Sequence, residues 1–324
     1  MFAPLAAAAT LSLALIVTSL PVRAGREPQR RPARACGSAL DYQVRLDRLG
    51  FSPGEIDGSF GRNTLFAIRA FQDASGPGGS GRPDCDTWQD LVARDNVPTL
   101  GAYTISPDDV AGPFVERIPE DLVEQAGLPA LSFTSPLEAL GEKFHVSPAL
   151  LKRLNPGAAF VEGETIRVPN LTSPSAMSLG PTAATPLDST VTVSRANSSL
   201  RVLSADGRVV FFAPATIGSQ NDPLPLGEWK VTEVAWDPVF RYNPELFWDA
   251  DPGHAKATIQ PGPNGPAGVV WIGLDVEHYG IHGTPEPSQI GHRQSHGCVR
   301  LTNWDAARVG RLVRRNTPVL FTER

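Results

Sequence analysis

The sequence predicts a multi-domain, exported protein: a small all-α N-terminal domain, a small α+β middle module and a mainly β C-terminal domain. Three observations carry that expectation. Apolar residues at helical spacing fill residues 36–95, whereas short alternating runs fill the chain from residue 189 onward. A Ser/Thr/Pro/Ala stretch at 170–187, unable to form a core, reads as a linker before the β part. The 31 prolines and 30 glycines among 324 residues speak for turns and long loops rather than a helical bundle.

Export is read from the N-terminus. Residues 5–20 are Ala/Leu-rich and uncharged, about the length of a signal-peptide apolar core and short of a membrane span. Val22-Arg23-Ala24 closes the run with a small residue, so a signal peptide over 1–24 is expected. No Lys or Arg precedes the apolar core, which leaves an uncleaved anchor as the alternative. Either way the remainder lies outside the cytoplasm, in the periplasm or cell wall. The basic, Pro-containing residues 25–35 follow as a spacer. A formal net charge of -5 argues against a general nucleic-acid binder, which needs a basic surface to neutralise phosphates. Cys36 and Cys85 flank the helical segment and suit a disulfide closing a loop of about 50 residues. Cys298 is then left over, either as a reactive thiol or as a small buried apolar residue.

Within 36–95, Leu40, Val44, Leu46 and Leu49 predict a first helix stopped by Gly50. Asp57-Gly58-Ser59-Phe60-Gly61 is a turn, residues 64–72 a second helix, and Thr87, Trp88 and Leu91 begin a third. Leu49, Gly50, Asp57, Gly58, Phe60, Gly61, Thr64, Ala67, Phe71, Gln72 and Trp88 together resemble the peptidoglycan-binding domain appended to many wall enzymes. Wall binding is what that resemblance implies; the residues alone say three short helices around a small core. Tyr103-Thr104-Ile105 reads as a strand and residues 107–110 as a turn. The region 101–169 contains a second resemblance. "LLKRLNPG" and "EGETIRVPN" are similar to a degenerate lysin motif, a βααβ glycan-binding module. Leu131-Ser132-Phe133 is expected as its first strand, 137–144 and 146–154 as its helices, and residues 162–169 as its last turn and strand.

From residue 188 the pattern is β. Thr190-Val191-Thr192-Val193 alternates, Leu200-Arg201-Val202-Leu203 and Val209-Val210-Phe211-Phe212 flank an Asp206-Gly207 hairpin turn, and 227–231 and 268–272 add strands. An amphipathic helix over 303–313 and a strand over 318–321 end the chain.

The chemistry concentrates in "YGIHGTPEPSQIGHRQSHGCVRL". Five of the six histidines lie in the last quarter: His254, His278, His282, His292 and His296. A thiol attacks as its thiolate, so Cys298 needs a base or cation beside it. His282 stands 16 residues upstream at the end of an expected strand, and the intervening loop can fold back to bring the two together. Gly283 and Gly297 allow close backbone approach at both points. N–H groups near Gly297 and Cys298 suit a developing oxyanion. A metal reading joins His278/His282 and His292/His296, each spaced by four, with Cys298. That spacing shares a face only in a helix, and 277–283 reads as strand and loop. Ser295 is expected to support the Cys298 turn. Trp236, Tyr242, Phe247 and Trp248 are open to two readings, a loop capping the substrate or packing beneath a long loop.

His282-Gly283-Thr284, Gly291 and Ser295-His296-Gly297-Cys298-Val299-Arg300-Leu301 look like the signature of the L,D-transpeptidase catalytic domain. Residues 192–212 resemble its opening hairpins, and Leu224-Pro225-Leu226-Gly227-Glu228-Trp229 its "Pro-x-Gly-x-(aromatic)" strand. The resemblance implies a catalytic domain at 188–324, β-sandwich-like, acting without cofactor. It makes Cys298 the acylated nucleophile, His282 the proton donor and acceptor, and the Gly283 carbonyl its orienting partner. His296 and Arg300 would line the substrate site. The implied substrates are peptidoglycan stem peptides. The acceptor is another stem, a lipoprotein amine or water, the last giving a carboxypeptidase. Carbapenem-type inhibitors would be captured at Cys298. A wall-binding protein without turnover and a zinc hydrolase are the competing readings.

Overall fold

The computed structural model describes Met1, residues 36–76, 78–171 and 188–323. Apart from Met1, the predicted signal peptide, the spacer and most of the 170–187 linker lie outside the described residues. Asn170 and Leu171 do not: Leu171 is 1% exposed in the core of the middle module, so that module runs on to 171.

Three helices form first, α1 (Ala39–Arg48), α2 (Arg62–Ser75) and α3 (Cys85–Arg94). Ser38 caps α1 and Asp84 caps α3, each side-chain oxygen accepting a backbone N–H that the first helical turn leaves unpaired. Tyr42, Leu46, Ala67, Ile68, Phe71 and Leu91 make the core. Cys36 and Cys85 are disulfide-bonded, with Cα atoms 5.1 Å apart.

The middle module consists of β1 (Leu100–Thr104), the single turns α4 (Pro107–Val110) and α5 (Leu122–Gln125), α6 (Pro136–Lys143), α7 (Pro148–Leu154) and β2 (Thr165–Pro169). Two expectations need correcting. The first strand of the βααβ unit is Leu100–Thr104, antiparallel to β2, and not Leu131-Ser132-Phe133. Leu131 instead exchanges backbone hydrogen bonds with the β domain: its N–H reaches the Pro261 carbonyl at 3.1 Å, and its carbonyl accepts from Asn264 N–H at 2.9 Å. Residues 107–110, expected as a turn, make one helical turn. Pro107 opens it, and Ser106 and Asp109 cap it reciprocally.

The C-terminal domain holds β3 (Ser189–Ser194), β4 (Ser199–Ser204), β5 (Val209–Pro214), β6 (Thr216–Ile217), β7 (Gly227–Trp236), β8 (Phe240–Tyr242), β9 (Ala257–Ile259), β10 (Val270–Leu274), β11 (Gly280–His282), β12 (Val299–Arg300), α8 (Asn303–Leu312) and β13 (Pro318–Thr322). Nine strands form one mixed sheet in the order β5-β4-β3-β13-β7-β10-β11-β12-β6. Long β7 is the hinge: it pairs with β13 on one half and β10 on the other. Residues from both halves and from α8 share one apolar core, including Val191, Val202, Val231, Ile272, Ile281, Val299 and Val309. The fold is therefore mainly β at the C-terminus with a small helical N-terminal region.

Residues 36–323 pack as a single unit. The turn after α1 is the seam. Phe51 pairs with Phe212 and Ile56 with Val146. At the seam's centre Asp47, fully buried, accepts from His145 Nδ1 at 3.0 Å, while Arg308 donates to its carbonyl at 3.0 Å. Burial alone would raise the Asp47 carboxyl. His145, Arg308 and Arg48 outweigh it and hold the group below its usual value. The His145 ring lies on Trp304, 5.0 Å between centroids and 8° from parallel. Each of the three segments thus contributes to one buried polar knot.

Candidate active site

The site is assembled where β11 and β12 lie side by side. Their parallel register sets Ile281 opposite Val299 and His282 opposite Arg300. Cys298 directly precedes β12, and Gly280 opens β11. Alternation along the strands puts residues 280 and 282 on one face, and likewise 298 and 300. The loop from Gly283 to Gly297 connects the two elements.

His282 is 5% exposed and stacks on Trp271, with ring centroids 5.4 Å apart. Its Nδ1 lies 2.7 Å from the Gly283 carbonyl. A carbonyl only accepts, so Nδ1 carries the proton and Nε2 is the basic nitrogen. Burial foremost, and then the Arg300 charge, pull its pKa down to about 3, against the Gly283 hydrogen bond. The imidazole rests neutral.

Cys298 is the free thiol among the described residues, and its Sγ lies 3.6 Å from the His278 carbonyl. Burial pushes the thiol up; the Gly280 N–H and the Arg300 charge pull the other way. Ser295 Oγ donates to the Cys298 carbonyl at 2.6 Å, while the Ser295 N–H reaches the Gly218 carbonyl at 3.1 Å. Gly297 has φ +98°, and a Cβ there would meet the Tyr279 ring at 2.7 Å, so only glycine makes this approach to the cysteine. The half-buried Arg300 leaves its Nε without a hydrogen-bond partner among the described residues.

His296 is engaged by the loop between β8 and β9. Its Nε2 is 2.7 Å from Asp249 Oδ1, and its ring meets Phe247 and Trp248 at 5.0 and 5.7 Å. The segment 243–256 is therefore fastened to the motif through His296. Of the four aromatics, Phe247 and Trp248 reach the site. Tyr242 is buried with Leu131 and Ile259, and Trp236 packs against the main core. His278 and His292 are exposed. No group of three His, Cys, Asp or Glu capable of holding a metal occurs among the described residues.

Sequence reasoning missed three contributors. Asp249 lies in a loop with no readable periodicity. Tyr279 sits in the quoted motif but gave no sign that its ring would pack against Gly297. Asn303 caps no chemistry in sequence, yet it packs directly against Gly283 and accepts from Val269 N–H at 3.2 Å.

Two family profiles match the chain: the L,D-transpeptidase catalytic domain over residues 188–320, and one described as "Putative peptidoglycan binding domain" over 39–91. The Bacillus subtilis protein "Putative L,D-transpeptidase YqjB" is 31% identical over 144 residues, spanning 43% of this chain and 73% of that one. The chain belongs to the L,D-transpeptidase family. The Bacillus licheniformis protein "Putative L,D-transpeptidase YkuD" is 28% identical over 189 residues, 57% of this chain and 93% of that one. The solved L,D-transpeptidase from Mycobacterium smegmatis aligns at 22% identity and a TM-score of 0.33, over 41% of this chain and 58% of that one. The protein is thus an L,D-transpeptidase enzyme carrying a peptidoglycan-binding domain. No helix among the described residues is long and apolar enough to cross a membrane.

Proposed function

We propose that this transpeptidase works through a thioester on Cys298, formed with the tetrapeptide stem of peptidoglycan. The observation that carries the reading is the His282 tautomer. Its Nδ1 is held by the Gly283 carbonyl at 2.7 Å, leaving Nε2 as a base on the strand beside the one Cys298 leads into. Cys298 Sγ attacks the carbonyl between the third residue of the stem and its terminal D-Ala. A sulfur–carbon bond forms, the thiol proton passes to His282 Nε2, and the carbon–nitrogen bond breaks as His282 returns that proton to the D-Ala amine. An acceptor amine then attacks the thioester, gives its proton to His282, and the thiol is regenerated. Backbone N–H groups around Gly297 and Cys298 face the oxyanion, and Arg300 supplies positive charge. A stem side chain as acceptor yields a cross-link; a lipoprotein amine yields an anchored protein; water yields a trimmed tripeptide.

The same reading gives the N-terminal signal segment the task of export to the periplasm or wall, where the helical domain holds murein. In the middle module a cleft of about 450 Å³, lined by residues including Ser135, Leu137, Asn155 and Phe160, is where a glycan would lie. Carbapenems, mimicking the D-Ala bond, would acylate Cys298. The test is release of D-Ala from disaccharide-tetrapeptide by the wild type and by Cys298→Ala, with the products separated by mass. Release by the wild type alone supports the reading. Equal release by Cys298→Ala refutes it.

A further inference from the structure

We propose that Asn63, in the first turn of α2, is a positioning residue for the loop that joins His282 to Cys298. The peptidoglycan-binding domain is then a working part of the transpeptidase site as well as an anchor. The inference rests on the function proposed above.

The loop from 283 to 297 has little structure of its own beyond the single 3-10 turn at Pro287–Gln289. Its middle is held from two sides. From the β domain, Thr216 Oγ1 accepts from the Gly291 N–H at 3.0 Å and donates to the Gln289 carbonyl at 3.4 Å. From the helical domain, Asn63 Nδ2 donates to the Ile290 carbonyl at 2.8 Å, and Arg62 Nη1 donates to the Gly291 carbonyl at 3.1 Å. Two consecutive carbonyls of the loop are thus satisfied by side chains more than two hundred residues away in sequence. Gly291 has φ +76°, and a Cβ there would stand 2.7 Å from Asn63 Oδ1, so the contact requires glycine. The Ile290 side chain beside it is 2% exposed.

Such a brace works only if the helix bearing it is itself immobile. The turn preceding α2 meets that condition. Ser52 N–H donates to the Phe212 carbonyl at 2.8 Å, and Phe212 N–H to the Gly50 carbonyl at 2.8 Å. Ser52 Oγ donates to Asp305 Oδ2 at 2.9 Å in a fully buried contact with α8. Asn63 is therefore a strut fixed to the sheet at one end and to the loop at the other. Downstream of the strut, the loop delivers Ser295, His296 and Gly297 into the turn that presents Cys298. Freeing the middle of the loop lets that turn wander, and small misplacements of a nucleophile cost rate far more than they cost substrate affinity.

The experiment uses the full chain. Asn63→Asp keeps the side chain's size but removes the donor to Ile290; Asn63→Ala removes the side chain. Arg69→Ala, elsewhere on α2, is the control. D-Ala release from disaccharide-tetrapeptide is measured for kcat and KM, and amide hydrogen exchange is followed over 285–295. The expected result for both Asn63 variants is a kcat at least tenfold down, KM within about twofold, and faster exchange at 289–295, with Arg69→Ala like wild type. A kcat within twofold of wild type, or a lowered kcat with loop exchange unchanged, overturns the proposal. Absence of turnover in the wild type would instead refute the thioester reading, and the exchange comparison alone would then decide whether Asn63 braces the loop.

Discussion

Replacing Glu142 with Gln tests the buried seam through its pH dependence. Glu142 sits near the end of α6 and is 8% exposed. It shares a hydrogen bond with Asn303 at the start of α8, and one of its carboxylate oxygens has no partner. Burial, opposed by the Asn303 bond and reinforced by Glu138, Glu55 and Asp305, raises its pKa from 4.5 to about 8. Between those values the folded protein keeps a proton that the unfolded chain has released. Stability therefore falls as pH rises through that window and is level above it. The rise from 4.5 to about 8 spans about 3.5 pH units, and at 1.36 kcal/mol per unit the loss is at most about 5 kcal/mol. Neighbouring carboxyls share the penalty, so about 3 kcal/mol is the expected figure. An amide at this position cannot ionise, and Glu142→Gln should gain that amount relative to wild type between pH 4.5 and pH 8.5. Urea unfolding followed by tryptophan fluorescence at both pH values measures it. A wild-type-minus-variant difference that stays constant within about 0.5 kcal/mol across the two would refute the burial argument.

Four other outcomes follow from the same geometry. Because burial raises the Cys298 thiol, its alkylation by iodoacetamide should keep accelerating past about pH 8.5, and a rate plateau below pH 7 would contradict this. His282→Asn, which lacks the basic nitrogen, should lower kcat about 10²- to 10⁴-fold while leaving alkylation at high pH unchanged; D-Ala release and iodoacetamide kinetics read both. Asp249→Asn weakens the bond that fastens the 243–256 segment to His296, so hydrogen exchange there should rise while global stability changes by no more than about 1 kcal/mol in urea. His145→Ala leaves Asp47 buried without its ring partner and should cost about 3–5 kcal/mol, seen as a lowered urea midpoint.

Local sequence pattern carried most of the fold. The helical spacing of Leu40, Val44, Leu46 and Leu49 and of residues 64–72, the Asp206-Gly207 turn and the alternation in β3 are signals written within a few residues, and elements formed there. Leu131-Ser132-Phe133 failed because its alternation equals that of a strand while its backbone partners lie at 261–264, a pairing no local pattern encodes. The grouping of the candidate site's residues was legible for a different reason. His282, Gly283, Ser295, Gly297 and Cys298 sit close together in sequence because β11 and β12 are neighbouring parallel strands joined by one loop. Asp249, Asn303 and Asn63 act across long separations, and an isolated Asp or Asn in a polar stretch looks the same whether it braces a loop or faces water.

Arg300 sets the order of events in the proposed reaction. One guanidinium acts on two titrating partners: it disfavours a proton on His282 and favours the loss of one from Cys298. Burial pushes the two groups toward their neutral forms, lowering the imidazole and raising the thiol. In the proposed reaction these directions favour a thiol and a neutral imidazole over a preformed thiolate–imidazolium pair. Proton transfer to Nε2 then has to accompany attack on the substrate, when sulfur's negative charge is passing to the oxyanion. In the proposed reaction the Arg300 charge, which favours the anion on Cys298, then also favours the negative charge as it passes to oxygen. The imidazolium is the one species it opposes, which favours prompt return of the proton to the departing amine. Replacing Arg300 with Gln should on this logic raise the His282 pKa while slowing acylation. An Arg300→Gln variant that acylated faster, with its acid limb unmoved in a pH–rate profile, would show that the cation does not govern the pair.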